Sequence, residues 1–284
     1  MIRIFTDLGS NIPQELIQRH HLGVVPIHCM VDGKPLDASK EFDGPAFYAA
    51  MRAGAQPRTA MPSPAEVMDA FRPALEQGDD IIYVGMSSGI SGTFSLGKTV
   101  GEELAEEFPD RRFAAIDTKA ASLGEGLEVL YAASLAEEGA DFEDIVSKTQ
   151  ARADHMFQVF TVEDLEYLRR GGRLHTAVAK VGNMLNVKPI LWGNDQGQIV
   201  LQHMNVGRRR SLDTLAAKYR ENCTDKTLPV GLAHCDSPAD TDRVIEKLRQ
   251  AGCTGEILAV CYEPVTGSHV GPGTVALFFY GPRR

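Results

Sequence analysis

The 284-residue chain has no long apolar run. Nothing approaches the roughly 18 residues that span a bilayer. The N-terminus, Met1-Ile2-Arg3-Ile4-Phe5-Thr6-Asp7, meets an acid too soon for a signal peptide. Basic charge is also scarce: 29 Lys and Arg stand against 38 Asp and Glu, a formal net charge of −9. That excludes a general nucleic-acid binder, whose basic footprint must displace phosphate counterions. Cys29, Cys223, Cys235, Cys253 and Cys261 form no Cys-x-x-Cys pair and read as small buried hydrophobes of a reducing cytosol. His20, His21, His28, His155, His175, His203 and His234 show no His-x-x-His or Cys/His spacing, so neither a metal nor another cofactor is expected. Repeats and low-complexity tracts are missing as well. These absences leave a cytoplasmic globular protein with an ordinary apolar content of 43%.

What is present is alternation. Ile2–Thr6, Val24–His28, Ile81–Met86, Phe113–Ile116, Gln158–Val162, Val187–Trp192, Ile199–His203, Pro229–Ala233 and Ile257–Cys261 are short, rich in Val and Ile, and bounded by Gly, Asp or Pro, as strands are. Helix starts lie between them. Ser63-Pro64-Ala65-Glu66 offers an N-cap, a proline at N1 and a glutamate at N3. Asp43-Gly44-Pro45 and Ser237-Pro238-Ala239-Asp240 repeat the device. The order predicts an α/β protein with mainly parallel sheets flanked by helices. A change of character near Asp141–Asp154 divides the chain into domains 1–154 and 155–284. Asn194-Asp195-Gln196-Gly197 reads as a hairpin turn.

Two short motifs invite enzyme readings. Gly92-Thr93-Phe94-Ser95-Leu96-Gly97-Lys98-Thr99 fits G-x-x-x-x-G-K-[ST], with Lys98 for terminal phosphates and Thr99 for magnesium. The preceding strand ends near Met86, too early for a P-loop, and Lys98 falls inside a helix. Gly85-Met86-Ser87-Ser88-Gly89 fits the nucleophile elbow G-x-S-x-G, and His269 after Asp236 or Asp240 keeps the order serine, acid, histidine. An elbow turns into its helix at once, whereas Ile90-Ser91-Gly92-Thr93 intervenes. A serine acyl hydrolase using Ser87 stands as the alternative reading.

Four segments share a theme of small hydroxyl residues, glycines and one histidine. They are Thr6-Asp7-Leu8-Gly9-Ser10-Asn11-Ile12-Pro13, Arg58-Thr59-Ala60-Met61-Pro62-Ser63-Pro64, Ser87-Ser88-Gly89-Ile90-Ser91-Gly92-Thr93, and Gly267-Ser268-His269-Val270-Gly271-Pro272-Gly273-Thr274. Most follow strand ends, where open α/β sheets bind ligands. Hydroxyls, backbone N–H groups and an imidazole, without paired carboxylates, suit gripping a carboxylate or phosphate. Gly267, Gly271 and Gly273 let backbone approach a ligand closely.

With Leu165-Glu166-Tyr167-Leu168-Arg169-Arg170-Gly171-Gly172-Arg173-Leu174 and Leu185-Asn186-Val187-Lys188-Pro189-Ile190-Leu191 added, the chain resembles the DegV family, the fatty-acid-binding FakB component of bacterial fatty acid kinase. The motifs run in the family's order across the whole chain. The resemblance implies a two-domain DegV-like fold holding one long-chain fatty acid in a buried apolar tunnel, its carboxylate near the domain junction. It implies a carrier rather than an enzyme, which presents that carboxylate to a separate ATP-dependent kinase subunit and makes peripheral membrane contact for lipid exchange. Carried over by position, Thr59, Ser88, Ser91, Gly92, His269 and Gly271 form the carboxylate grip, and Arg173 serves transfer or partner docking. The family's Thr-Ser-Gln-Pro-Ser is here Thr59-Ala60-Met61-Pro62-Ser63, so one polar contact is replaced. Arg208-Arg209-Arg210 reads either as a basic stretch facing the kinase or as a solvated helix start.

Some of these residues have local readings too. Ser63 is a helix N-cap, Thr6 or Ser10 caps a helix near Pro13, and Ser91 caps the helix after Gly92. Asp7 and Asp117 are loop acceptors at strand ends. Phe157, Phe160, Met184, Leu185, Ile190 and Leu191 are available to line a tunnel or to fill a core.

Overall fold

The computed structural model describes residues 1–36, 42–175 and 186–282. In chain order the elements are β1 (Ile2–Asp7), α1 (Gln14–Arg19), β2 (Gly23–Val25), β3 (His28–Val31), β4 (Lys34–Pro35), α2 (Gly44–Arg52) and β5 (Pro57–Ala60). Then come α3 (Pro64–Glu76), β6 (Asp80–Gly85), α4 (Thr93–Glu107), β7 (Phe113–Asp117), α5 (Leu123–Glu137), α6 (Phe142–Ala153) and β8 (Met156–Thr161). The chain continues through α7 (Glu166–Arg170), β9 (Val187–Gly193), β10 (Ile199–Val206), α8 (Arg208–Asn222) and β11 (Val230–His234). It finishes with α9 (Pro238–Gln250), β12 (Ile257–Cys261), α10 (Pro264–Val270) and β13 (Val275–Tyr280). By contacts the chain divides into a first unit, Met1–His28 with Thr59–Asp154, and a second, Cys29–Arg58 with His155–Arg284. The expected division at 154 leaves residues 29–58 in the first unit; their contacts place them in the second. A small sheet, order β4-β3-β5, contains both points where the chain crosses over.

The first unit has the anticipated parallel sheet, order β2-β1-β6-β7. Its strands are apolar almost continuously because both faces are covered. Ile4, Ile82 and Val84 join Val129, Ala132, Phe142 and Ile145 of α5 and α6 in one core. Their neighbours Phe5, Ile81 and Tyr83 join Phe71 of α3 and Leu104 of α4 in the other. This is the period-2 alternation of a strand, read on two sides. The expected strand Val24–His28 is broken at Pro26, which has no N–H for the ladder, and appears as β2 and β3. Ser63 forms a full capping box with Glu66. Thr6 is no cap: its hydroxyl donates to Glu125 Oε1 at 2.8 Å, and α1 begins after Pro13 without a side-chain cap.

The second unit departs from expectation. Its sheet, order β10-β9-β8-β13-β11-β12, is antiparallel at every pairing except β11 with β12. Mainly parallel sheets were expected throughout; the α/β class holds, but here the sheet is mixed. One antiparallel pairing is a hairpin, β9 joining β10 through Asn194–Gly197, where Gly197 N donates to the Asn194 carbonyl; the others pair strands far apart in the chain. One face packs on α8 and α9 through Val159, Ile190, Leu212, Leu215, Val244, Leu277 and Phe279, with Phe157 against them. By register, Phe160, Leu191, Ala276 and Phe278 belong to the opposite face, and all are buried. Phe157 and Ile190 are therefore core on the helix side. Met184 and Leu185 lie outside the described residues. Among the described residues no helix is long and apolar enough to cross a membrane.

Candidate functional site

In the first unit the strand order turns at β1, with β2 on one side and β6 on the other. Open α/β sheets bind ligands at such switch points, beyond the carboxyl ends of the strands. Buried Asp7 joins the two ends. Its Oδ2 accepts from Met86 N at 3.0 Å and from the Tyr83 hydroxyl at 3.1 Å, while Oδ1 accepts from Gly9 N at 2.9 Å. Burial pushes its pKa up, against these hydrogen bonds. Asp117, ending β7, does the same for the serine loop. Its carboxylate accepts from Ser88 N at 3.2 Å, from Ser88 Oγ at 2.6 Å and from Lys119 N at 3.0 Å. Both acids are loop acceptors, as their positions suggested.

These bonds sort the hydroxyls. Ser88 is exposed, yet both its donors are turned to Asp117. Ser91 Oγ accepts from Thr93 N at 3.2 Å and lies 3.0 Å from the Thr93 hydroxyl, which is fully buried. Ser91 Oγ donates to that hydroxyl, a neutral acceptor that competes for the proton less strongly than the Asp117 carboxylate competes for the proton of Ser88. Gly92 is exposed at the start of α4, with the Met61 sulfur 2.6 Å from where its Cβ would be. The loop after β5 and the serine loop therefore meet there, through Met61 and Gly92. Thr59 is half-buried in β5. A cleft of about 450 Å³ lined by Met30, Asp32, Gly33, Gly54, Gln56 and Arg58 contains none of the anticipated site residues.

In the second unit His269 lies in the last turn of α10. Gly171 presses against it: a Cβ there would stand 2.6 Å from His269 Nδ1. Burial and the neighbouring Arg173 hold the His269 pKa down to about 4, so the imidazole is neutral at pH 7. Arg173 is itself partly buried, which lowers its pKa, and its Nη1 donates to the Gly171 carbonyl at 2.5 Å. Gly271 has φ +81°, with the Tyr167 ring so close that a Cβ would stand 2.3 Å from it. Its N–H donates to the Gly267 carbonyl at 2.9 Å, so Gly271 shapes the turn rather than offering a donor. Sequence reasoning missed Tyr167 and the packing role of Gly171; the Gly-Gly pair was the available signal.

The enzyme alternatives fail on geometry. Ser87 is fully buried, and its Oγ accepts from Gly89 N at 3.1 Å; an elbow serine must expose that oxygen. The acids that would complete a triad are committed elsewhere, Asp236 to Arg52 and Asp240 to Arg208. Lys98 sits within α4 and pairs with Glu102 at 2.5 Å, so the P-loop pattern has no phosphate cradle. Among the described residues no group of three or more His, Cys, Asp or Glu could hold a metal ion.

Comparison with known proteins agrees across the chain. The family model described as "Uncharacterised protein, DegV family" matches residues 1–281. A DegV domain-containing protein of Clostridium perfringens is 32% identical over 286 residues, covering 99% of this chain and 98% of its own. Among solved structures, a DegV family protein from Thermus thermophilus, described by its fatty acid binding, superposes with TM-score 0.87 at 30% identity, covering 99% of each chain. A fatty acid binding DegV family protein from Streptococcus agalactiae gives TM-score 0.87 at 27% identity, again over 99% of each.

Proposed function

The chain belongs to the DegV family, and on that footing we propose that it binds one long-chain fatty acid and presents the carboxylate to a separate ATP-dependent kinase subunit. The observation that carries the reading is His269. The imidazole and the guanidinium of Arg173 are neighbours, both half-buried against Gly171, where desolvation and the arginine's charge both oppose charge on the ring. An anion brought to them reverses both penalties, and a carboxylate accepts charge-assisted hydrogen bonds from each. The fatty acid binding of the Thermus and Streptococcus relatives supports the same ligand class.

Thr59, Ser91, Gly92 and His269 are the proposed carboxylate ligands. Ser88 joins them only if Asp117 releases its hydroxyl, and Gly271 acts through the shape of its turn. Acyl burial supplies most of the affinity, at roughly 0.8 kcal/mol per methylene. Phe160 and Leu191, on the sheet face away from α8, are the apolar side chains proposed to meet the acyl chain. In transfer, a carboxylate oxygen attacks the γ-phosphorus of ATP held by the partner. The bond to ADP breaks, ADP leaves and an acyl phosphate remains, with Arg173 placed to steady the added charge. No acid or base of this chain is needed for that step. Residence in the cytoplasm and brief membrane contact for lipid exchange complete the proposal.

Native mass spectrometry of the chain purified from bacteria tests it. A co-purifying C14–C18 acid is the expected result. A ligand-free protein that takes up no added fatty acid would sink the reading, and absence of acyl phosphate with kinase subunit and ATP would remove the presentation step alone.

A further inference from the structure

Arg208 opens α8, and its neighbours Arg209 and Arg210 follow on the first turn. Three cations there face the positive end of the helix dipole, and Gly207 provides no side-chain cap, so helix formation does not explain them. Arg209 and Arg210 are exposed. Arg208 differs, keeping 19% of its side-chain exposure. Its Nη2 donates to the Gly273 carbonyl at 2.6 Å and its Nε to Asp240 Oδ2 at 2.8 Å, with Glu163 Oε1 at 3.5 Å. Glu163 is held in turn by Lys188. Gly273 takes φ +81°, and a Cβ on it would stand 2.2 Å from Glu163 Cγ. The same turn is closed by Gly273 N donating to the Cys235 carbonyl at 2.8 Å. The Thr274 hydroxyl reaches the carbonyls of Val270 at 3.0 Å and Gly271 at 2.8 Å.

We propose that Arg208 is a positioning residue. Its guanidinium, clamped between Asp240 and the Gly273 carbonyl, fixes the Gly271–Thr274 turn and thereby the orientation in which α10 presents His269 to a bound carboxylate. The proposal rests on the fatty-acid reading above. It depends on the planar fork of arginine, which reaches a carboxylate and a carbonyl at once; the single ammonium of lysine does not replace it.

Titration of the full chain with oleate and with oleyl alcohol separates carboxylate recognition from acyl burial. Arg208→Met and Arg208→Lys are each expected to weaken oleate about tenfold or more. Both should leave oleyl alcohol within about twofold and shift the His269 imidazole titration followed by NMR. Arg209→Ala changes none of these. Wild-type oleate affinity in the Arg208 variants, full rescue by lysine, or equal loss of both ligands overturns the proposal. If Arg208→Met does not fold, Asp240→Asn carries the same expectation at smaller size, and wild-type behaviour there overturns it equally. If the wild-type chain binds no oleate, the fatty-acid reading falls instead. The ligand-free His269 titration in Arg208→Lys then still decides whether Arg208 sets that residue.

Discussion

The two units offer hydrogen-bond donors by different physical means. In the first, hydroxyls hang from loops at the carboxyl ends of a parallel sheet, and buried acids arrange them: Asp7 ties β1 to β6, and Asp117 takes both donors of Ser88. In the second, the sheet is largely antiparallel, and the candidate donors are nitrogen groups, with the charge state of His269 set by burial and by the neighbouring Arg173. The hydroxyls need no particular pH, because serine and threonine do not titrate in the physiological range. His269 does titrate, and its environment decides when. A hydroxyl loop is tuned by who takes its proton; an imidazole is tuned by how much water it loses.

The largest effects test whether both sheets are true cores. Ile82→Ala in the parallel sheet and Leu277→Ala in the mixed one should each cost about 2–5 kcal/mol in urea denaturation. A cost near zero at either would remove that sheet from the comparison. Next comes pH. The His269 pKa is about 4 in the fold against 6.5 ordinarily, so between these values the unfolded chain binds a proton that the fold refuses. The resulting stabilisation is complete above the unfolded value. It is lost as pH falls toward the folded one, an effect on the order of 2–3 kcal/mol. The urea midpoint of wild type should therefore fall relative to that of His269→Asn as the pH drops from about 6.5 toward 4, and parallel pH profiles would erase the contrast between the units.

Smaller effects sharpen the first unit. Ser91→Ala is expected to weaken oleate roughly tenfold, whereas Ser88→Ala changes it less than about twofold. The reverse order would mean that Asp117 does not hold the Ser88 donors when ligand binds. Smallest of all, Lys98→Ala removes an exposed pair with Glu102 and should shift stability by less than about 0.5 kcal/mol. ATP heat in wild type that this variant abolishes would restore the P-loop.

Much of this was legible in the chain itself. Strand positions in the first unit followed from apolar runs covered on both faces, and the Ser63–Glu66 box appears as its spacing dictates. The second unit resisted for a reason of topology, because local patterns say where strands are and not which way their partners run. β13 is not among the expected strands, although Val275–Tyr280 is a solid apolar run between Gly273 and Gly281. The candidate site residues stand out in the sequence by kind, but the partners of their side chains do not. Nothing in one dimension couples Ser88 to Asp117 or presses Gly171 on His269, since these contacts join segments far apart in sequence. Buried Glu125 and Glu128 were likewise invisible, because nothing in the local pattern of α5 marks which of its glutamates face inward.

The excursion of residues 29–58 into the second unit governs how the molecule can be dissected. Tyr48, on α2, is fully buried; its hydroxyl donates to the Tyr262 carbonyl at 2.7 Å, and Gly267 of α10 is packed directly on it. A gene fragment beginning at residue 155 would inherit the His269 helix without the ring it rests on. The complementary fragment would carry α2 with nothing of its own to cover. Neither half is an heirloom that can be passed on separately, so insertions, fusions and shuffled chimaeras have to treat four stretches of gene as two inheritances.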